Sequence, residues 1–338
     1  MRPRIFVTQP IAESALARLR AVADVDVNPD DNRVLPKDKL CAAVREHDIL
    51  FALLHDTVDA DVLTANPKLK AVTSMSANAD RIDMATATAR KIPVTVIPAI
   101  AVSEATADLH FGLLLAVARR IVEGDRVIRA GFFPGAQSNR LVGARVWDKV
   151  IGLVGGRGRI GQAVARRAAG FGMRILYSGP HPMSDADEAK FGMTFVPLDQ
   201  LLAESDFVSL HPALKAETRH MIGERELRLM KRTAFLINTS RGPIVDETAL
   251  ARVLAEKKIA GAGLDVFENE PVVEPELLQL TNVVLTPHLG SAVTEVRETL
   301  AHIVVDNVMA IIDGRAPPNC VNPEVCAART QTGESHSH

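Results

Sequence analysis

Short apolar runs alternate with amphipathic stretches along most of the chain. Segments 4–8 (RIFVT), 48–54 (DILFALL), 69–75 (LKAVTSM) and 93–98 (PVTVIP) read as buried strands, with helical patterns over 12–23 and 37–45 between them. A long helical stretch follows, with Ser103 as its N-cap and Gly131 as its stop after Ala130. A second alternating series begins near Val150. Segments 150–155 (VIGLVG), 173–179 (MRILYSG), 207–211 (FVSLH), 233–240 (TAFLINTS), 260–266 (AGAGLDV) and 282–288 (NVVLTPH) predict six strands separated by helices. A last helix runs from about Ala292 to Ile312 and stops at Gly314. Strand and helix in alternation predict an α/β fold, with doubly wound parallel sheets between helical layers. The polar tail, 327–338, predicts disorder.

Composition narrows the function without naming it. A length of 338 residues allows about two domains. Lys and Arg total 39 against 41 Asp and Glu, so a broad basic footprint for nucleic acid is not expected. The apolar run 109–121 holds a histidine, ends near two arginines and reads as too short for a bilayer span. The first residues lack the apolar stretch of a signal peptide. Cys41, Cys320 and Cys326 form no CxxC pair, and three thiols suit a reducing, cytoplasmic setting.

Gly156-Arg157-Gly158-Arg159-Ile160-Gly161 matches GxGxxG between a predicted strand and a predicted helix. Glycines there permit a tight turn and close approach of backbone to a pyrophosphate, which the helix N-terminus would hold. A turn that binds nothing is the plainer reading of such a match, and the flanking pattern disfavours it. The next strand ends Tyr177-Ser178-Gly179-Pro180-His181, without the carboxylate that would bind a ribose 2′-hydroxyl. Ser178, with His181 or Arg157, suits a 2′-phosphate, so NADP is preferred over NAD. An ordinary turn accepting either cofactor is the alternative.

Arg241, Glu270 and His288 each follow a predicted strand, where ligands bind in open α/β sheets. A histidine can protonate a carbonyl oxygen as hydride arrives, a neighbouring Glu can orient it, and an Arg can hold a carboxylate. Singly, Arg241 is equally an ion-pair residue and His288 equally a loop histidine; together they point to reduction of a 2-keto acid.

These residues lie in VGGRGRIGQAVARRAAGFGMRI, LINTSRGPIVDETAL, AGAGLDVFENEP and LTPHLGSA, and with them the chain resembles the D-isomer-specific 2-hydroxyacid dehydrogenases, glyoxylate/hydroxypyruvate reductase branch. The resemblance implies a Rossmann cofactor domain, 101–287, inserted into a flavodoxin-like substrate domain, 1–100 plus 288–326. It implies Arg241, Glu270 and His288 as the catalytic set and Asp265 as the residue holding the nicotinamide carboxamide. It places Thr239 beside the nicotinamide half and Thr106 near a phosphate. His211, Thr218 and Gly290 complete the cofactor positions. It implies a small 2-keto or 2-hydroxy acid as partner and a homodimer built on the long helix, with Phe132 and Phe133 as candidates for the interface or, equally, for core packing.

The sequence departs from the pattern in places. The loop that usually holds the substrate carboxylate reads Ser76-Ala77-Asn78, with Asn78 where glycine is usual. Asn tolerates positive φ, so the loop conformation is expected to survive. The usual His-x-Pro-Leu is shifted to His211-Pro212-Ala213-Leu214. A non-catalytic dinucleotide-sensing protein on the same fold is the competing reading.

Overall fold

A computed structural model describes residues 2–326; the tail expected to be disordered lies outside them. The chain divides into two compact units, one of residues up to Val102 and from Ala292 on, the other Ser103–Ser291.

The first unit runs β1 (Arg4–Val7), α1 (Glu13–Val22), β2 (Asp24–Val27), α2 (Lys37–Glu46), β3 (Ile49–Ala52), α3 (Ala60–Thr64), β4 (Ala71–Ser74), α4 (Met84–Ala89) and β5 (Val94–Thr95). Its five strands lie in the order β2-β1-β3-β4-β5, all parallel. The expected strands 4–8, 48–54, 69–75 and 93–98 are all present. β2 escaped notice because DVDV is an edge strand with no continuous apolar run.

The second unit carries α5 (Ile100–Ala118), α6 (Ile121–Arg129), β6 (Val150–Val154), α7 (Arg159–Gly170), β7 (Arg174–Ser178), α8 (Asp185–Phe191), β8 (Met193–Phe195), α9 (Leu198–Glu204), β9 (Phe207–Leu210), α10 (Glu224–Leu229), β10 (Phe235–Asn238), α11 (Glu247–Ala255), β11 (Gly261–Leu264), α12 (Pro275–Leu278) and β12 (Val283–Leu285). Seven parallel strands follow the order β12-β11-β10-β9-β6-β7-β8. The order reverses beside β6, the switch point at which doubly wound sheets bind ligands. The unexpected seventh strand, β8, is again a short edge strand. The chain returns to the first unit with α13 (Thr294–Ile312), whose Leu300, Val304 and Val308 pack with Leu16 and Leu19 of α1.

The single long helix expected over 103–130 is two helices. Arg120 takes a left-handed φ of 54°, and the Ala118 carbonyl accepts the Ala144 amide at 2.8 Å. Only glycine fits at 143, because a Cβ there would lie 2.5 Å from that carbonyl. Ser103 is not the N-cap; it is buried inside α5, which starts at Ile100. α5 is 19 residues long and, by length and composition alone, apolar enough to cross a bilayer, so the shorter run read from sequence understated it. Its Leu113, Leu114 and Val117 are buried in one core with Ile151, Leu153 and Ile237 of the sheet.

Candidate active site

The β6–α7 turn shows why its glycines are there. Gly155 has a φ of 76°, and a Cβ on it would meet the Pro212 nitrogen at 2.7 Å. A Cβ on Gly161 would lie 2.6 Å from the Gly156 Cα, so helix and turn touch backbone to backbone. Gly158, where a Cβ would lie 3.4 Å from the Gly155 carbonyl, caps α7 without a side chain, and no acid occupies the first helical turn. Exposed Arg157 and Arg159 flank it, with half-buried Ile160. The N-terminus of α7 therefore presents amides and a positive dipole end to any phosphate.

At the end of β7, Ser178 is buried and its carbonyl accepts the Gly155 amide at 2.8 Å. The loop beyond is held by Tyr177, whose hydroxyl accepts the Met183 amide and donates to Glu188, each at 2.6 Å. No carboxylate stands between 178 and 181, and His181 is exposed.

The ends of β9 and β10 carry two buried polar atoms with no partner among the described residues, His211 Nδ1 and Thr239 Oγ1. Leaving such atoms unpaired is costly unless a ligand meets them. Together with the glycine turn, they are what a bound dinucleotide requires, so these residues fit one. Thr218 is different: its hydroxyl donates to the Ala213 carbonyl at 2.7 Å and accepts the Lys215 amide at 2.8 Å, closing the loop after β9.

Beneath His211 lies a polar group that sequence reading left unused. The Ser209 hydroxyl is 2.6 Å from His211 Nε2 and 3.3 Å from Nε2 of fully buried His110 on α5. Burial pushes His211 down to about 3 and holds His110 well below the usual histidine range, helped by His211 and Arg167. Both rings are neutral at neutral pH. The only signal of this in the sequence is a lone histidine within an apolar helix.

Asp265 follows β11 and is 1% exposed. Its carboxylate accepts the Thr286 hydroxyl at 2.6 Å and the amides of Leu289 and Gly290 at 2.7 and 2.9 Å. Burial nevertheless raises its pKa. The Gly290 carbonyl in turn accepts Thr106 Oγ1 from α5 at 3.3 Å. Between these anchors His288 adopts a left-handed φ of 56°, its amide bonded to the Asp265 carbonyl at 2.9 Å.

His288 Nδ1 lies 3.0 Å from Glu270 Oε2. An ionised carboxylate only accepts, so Nδ1 carries the proton of this contact and Nε2 is the nitrogen left to exchange protons. Glu270 is steadied by the Phe267 amide, at 3.0 Å to its other oxygen. The segment around it hangs on Glu247, a buried acid unnoticed in the sequence, which accepts the amides of Glu268 at 2.6 Å and Glu274 at 3.1 Å.

Arg241 follows β10. Asn238 Nδ2 donates to its carbonyl at 3.1 Å, Ser240 Oγ donates to the Pro212 carbonyl at 2.6 Å, and Arg241 Nη1 donates to the Ser240 carbonyl at 2.7 Å. A Cβ on the next residue, Gly242, would fall 1.9 Å from the Phe267 carbonyl, so the two strand-end segments meet without intervening side chain. In the second unit, Arg241, Glu270 and His288 thus follow the carboxyl ends of β10, β11 and β12.

This is the arrangement of a nicotinamide-dependent hydroxyacid enzyme, and comparison with known proteins decides the family. Residues 111–290 match the model of the D-isomer specific 2-hydroxyacid dehydrogenase NAD binding domain. The chain belongs to the D-isomer-specific 2-hydroxyacid dehydrogenases. It is 48% identical over 332 residues to a glyoxylate reductase of Korarchaeum cryptofilum, covering 97% of this chain and 98% of that one. A glyoxylate reductase of Thermococcus litoralis is 46% identical over 329 residues, covering 96% and 98%. Among solved structures, the TT0316 protein of Thermus thermophilus matches with a TM-score of 0.86 at 41% identity, covering 94% and 99%. An NADPH-dependent glyoxylate/hydroxypyruvate reductase of Sinorhizobium meliloti, in complex with NADP and malonate, matches with a TM-score of 0.76 at 31% identity, covering 95% and 97%. The family places this dehydrogenase in the glyoxylate reductase branch, as an oxidoreductase of small 2-keto acids that uses a nicotinamide dinucleotide.

The expected substrate loop lies in the first unit, after β4. Ser76 is buried and its carbonyl accepts the Ile97 amide at 2.9 Å; Ala77 and Asn78 are half-buried. Asn78 does not take the positive φ anticipated for it. Its Oδ1 instead faces Ser76 Oγ and the Asp80 amide, each at 3.4 Å, so its side chain braces the turn that a glycine would make by backbone alone.

The neutral histidines give a pH dependence. Unfolded, each binds a proton near 6.5, but folded only far lower, so stability is full above about 6.5 and lost as pH falls toward the folded values. His110→Leu should flatten this loss by up to about 1.4 kcal/mol per pH unit. Urea unfolding at several values between neutrality and mild acid checks it; parallel slopes for the two proteins would contradict it.

Proposed function

We propose that this dehydrogenase reduces glyoxylate, hydroxypyruvate or a similarly small 2-keto acid to the D-2-hydroxy acid, with NADPH preferred. The His288–Glu270 contact carries the proposal. It fixes Nδ1 as the nitrogen turned to the carboxylate and leaves Nε2 to deliver a proton to the substrate carbonyl oxygen. The Glu270 charge stabilises the imidazolium that supplies this proton. Arg241 binds the substrate carboxylate with its planar fork and polarises the carbonyl. The α7 N-terminus holds the pyrophosphate; Thr239, His211 and Asp265 line the nicotinamide side. When bound, the reduced nicotinamide supplies the hydride. In the oxidative direction His288 takes the proton back.

His288→Ala should lower kcat by about 10²–10⁴-fold while leaving the affinity for cofactor unchanged. Loss of nicotinamide absorbance with a panel of keto acids measures the first and fluorescence titration the second. Undiminished turnover would remove His288 from this role.

The NADPH preference rests on the end of β7, where Ser178 and not an acid stands, and on exposed Arg157 nearby in the turn. Ser178→Asp should shift the kcat/KM ratio toward NADH by about tenfold or more, equivalent to about 1.4 kcal/mol, because a carboxylate there repels a 2′-phosphate. An unchanged ratio would place the determinant elsewhere.

A homodimer is the assembly we favour, and a cytoplasmic setting goes with it. No residue of α6 is buried, and Ile121, Ile128, Phe132, Phe133, Val142 and Trp147 are exposed, Phe133 by 77%. So many exposed apolar side chains within residues 121–147 favour an interface on this stretch. Ile128→Glu should give a particle of half the native mass by light scattering with the fold intact; an unchanged mass would move the interface to another face.

A further inference from the structure

After α13 the chain passes along the open edge of β5. The Val96 amide donates to the Asn319 carbonyl at 3.2 Å, Val321 donates to the Val94 carbonyl at 2.9 Å, and Cys320 pairs antiparallel with Thr95. Asn322, 2% exposed, pins this strap. Its Oδ1 accepts the Val94 amide at 2.9 Å, and its Nδ2 donates to the Ile92 carbonyl at 2.9 Å and to Thr88 Oγ1 at 3.2 Å. Directly beyond, the chain turns back on itself: the Val325 amide reaches the Asn322 carbonyl at 3.1 Å and the Cys326 amide the Pro323 carbonyl at 3.0 Å. The turn brings Cys326 Sγ to 3.6 Å from Cys320 Sγ, across the residue that anchors the strap.

Two sulfurs 3.6 Å apart on one short turn already face each other as a disulfide would need. Both are partly exposed, whereas Cys41 is buried on α2 among Val44, Leu40 and Leu63. We propose that Cys320 and Cys326 form a reversible dithiol–disulfide site, closed by low-molecular-weight disulfides. One thiolate attacks the oxidant disulfide, forming a mixed disulfide and releasing one thiol. The second cysteine then attacks the protein sulfur of that bond and expels the other thiol. The protein loses two electrons and two protons, and the oxidant becomes two thiols. The bond encircles Asn322 and locks the strap against β5. Nothing in the proposed hydride chemistry uses these sulfurs.

Glutathione disulfide, added to the reduced full chain, tests it. Titratable thiols in denaturant should fall from the three present to one. Trypsin should release residues 316–329, which hold both cysteines, as a single peptide lighter by about 2 Da and restored by dithiothreitol. Cys320→Ser and Cys326→Ser should each keep a glutathione adduct on the remaining thiol instead. Amide exchange at Val94 and Val321 should slow on oxidation. Two glutathione adducts on the wild-type peptide, a disulfide between chains, or an unmodified peptide would each overturn the proposal.

Discussion

The buried carboxylate of Asp265 is the constraint on which the site in the second unit depends. One side chain gathers the Thr286 hydroxyl and the Leu289 and Gly290 amides, and so dictates the path of the chain on both sides of His288. A buried acid is costly unless its oxygens are met by donors. Here the donors come from the segment that must be held, so the cost of burial and the ordering of the loop are the same event. Removing the carboxylate would orphan three donors at once, which is why the arrangement is all or nothing. The left-handed His288 backbone, a region histidine tolerates better than most side chains, is held by those surrounding bonds.

The same economy appears between β10 and β11. Register pairs Asn238 with Leu264, so the residues after these strands leave the sheet side by side. Gly242 then lets the Arg241 segment press on the Phe267 backbone with no side chain between. Glu247 fastens the far end of the 268–274 segment by its two amide contacts. Arg241, Glu270 and His288 thus stand on three strand ends tied to one another by backbone contacts, which suits a site whose reacting groups must hold fixed positions.

Much of this was legible in the sequence, and the parts that were not share a physical cause. Buried central strands such as VIGLVG and AFLIN announce themselves by unbroken apolar runs; edge strands such as DVDV and MTF do not, because one side meets solvent or a single neighbour. The glycine turn could be read because its spacing is a local property. The split of the long helix could not, since it depends on Gly143 docking at the Ala118 carbonyl 25 positions away, and Ser103 looked like a cap only because the burial of α5 was invisible. Glu247 and the His110–Ser209 contact are likewise long-range. Asn78 shows the converse: the departure from the family pattern was plain, but not the solution, in which the side chain bonds its own turn and the backbone stays in an ordinary region.

The neutral pair beneath the cofactor turn bears on how the site treats charge. The second unit must attract a polyanionic cofactor, yet the chain as a whole is slightly acidic. Local, fixed positive features are available for it: the amides at the α7 N-terminus, with exposed Arg157 and Arg159 beside them. His211, at the end of β9, would be the exception if it titrated, because its charge would vary with pH. Burial against Ser209 and His110 removes that freedom and leaves Nδ1 as an uncharged polar atom. His288, the histidine proposed to exchange protons, differs from His211 in having a carboxylate, and not a hydroxyl, as a partner.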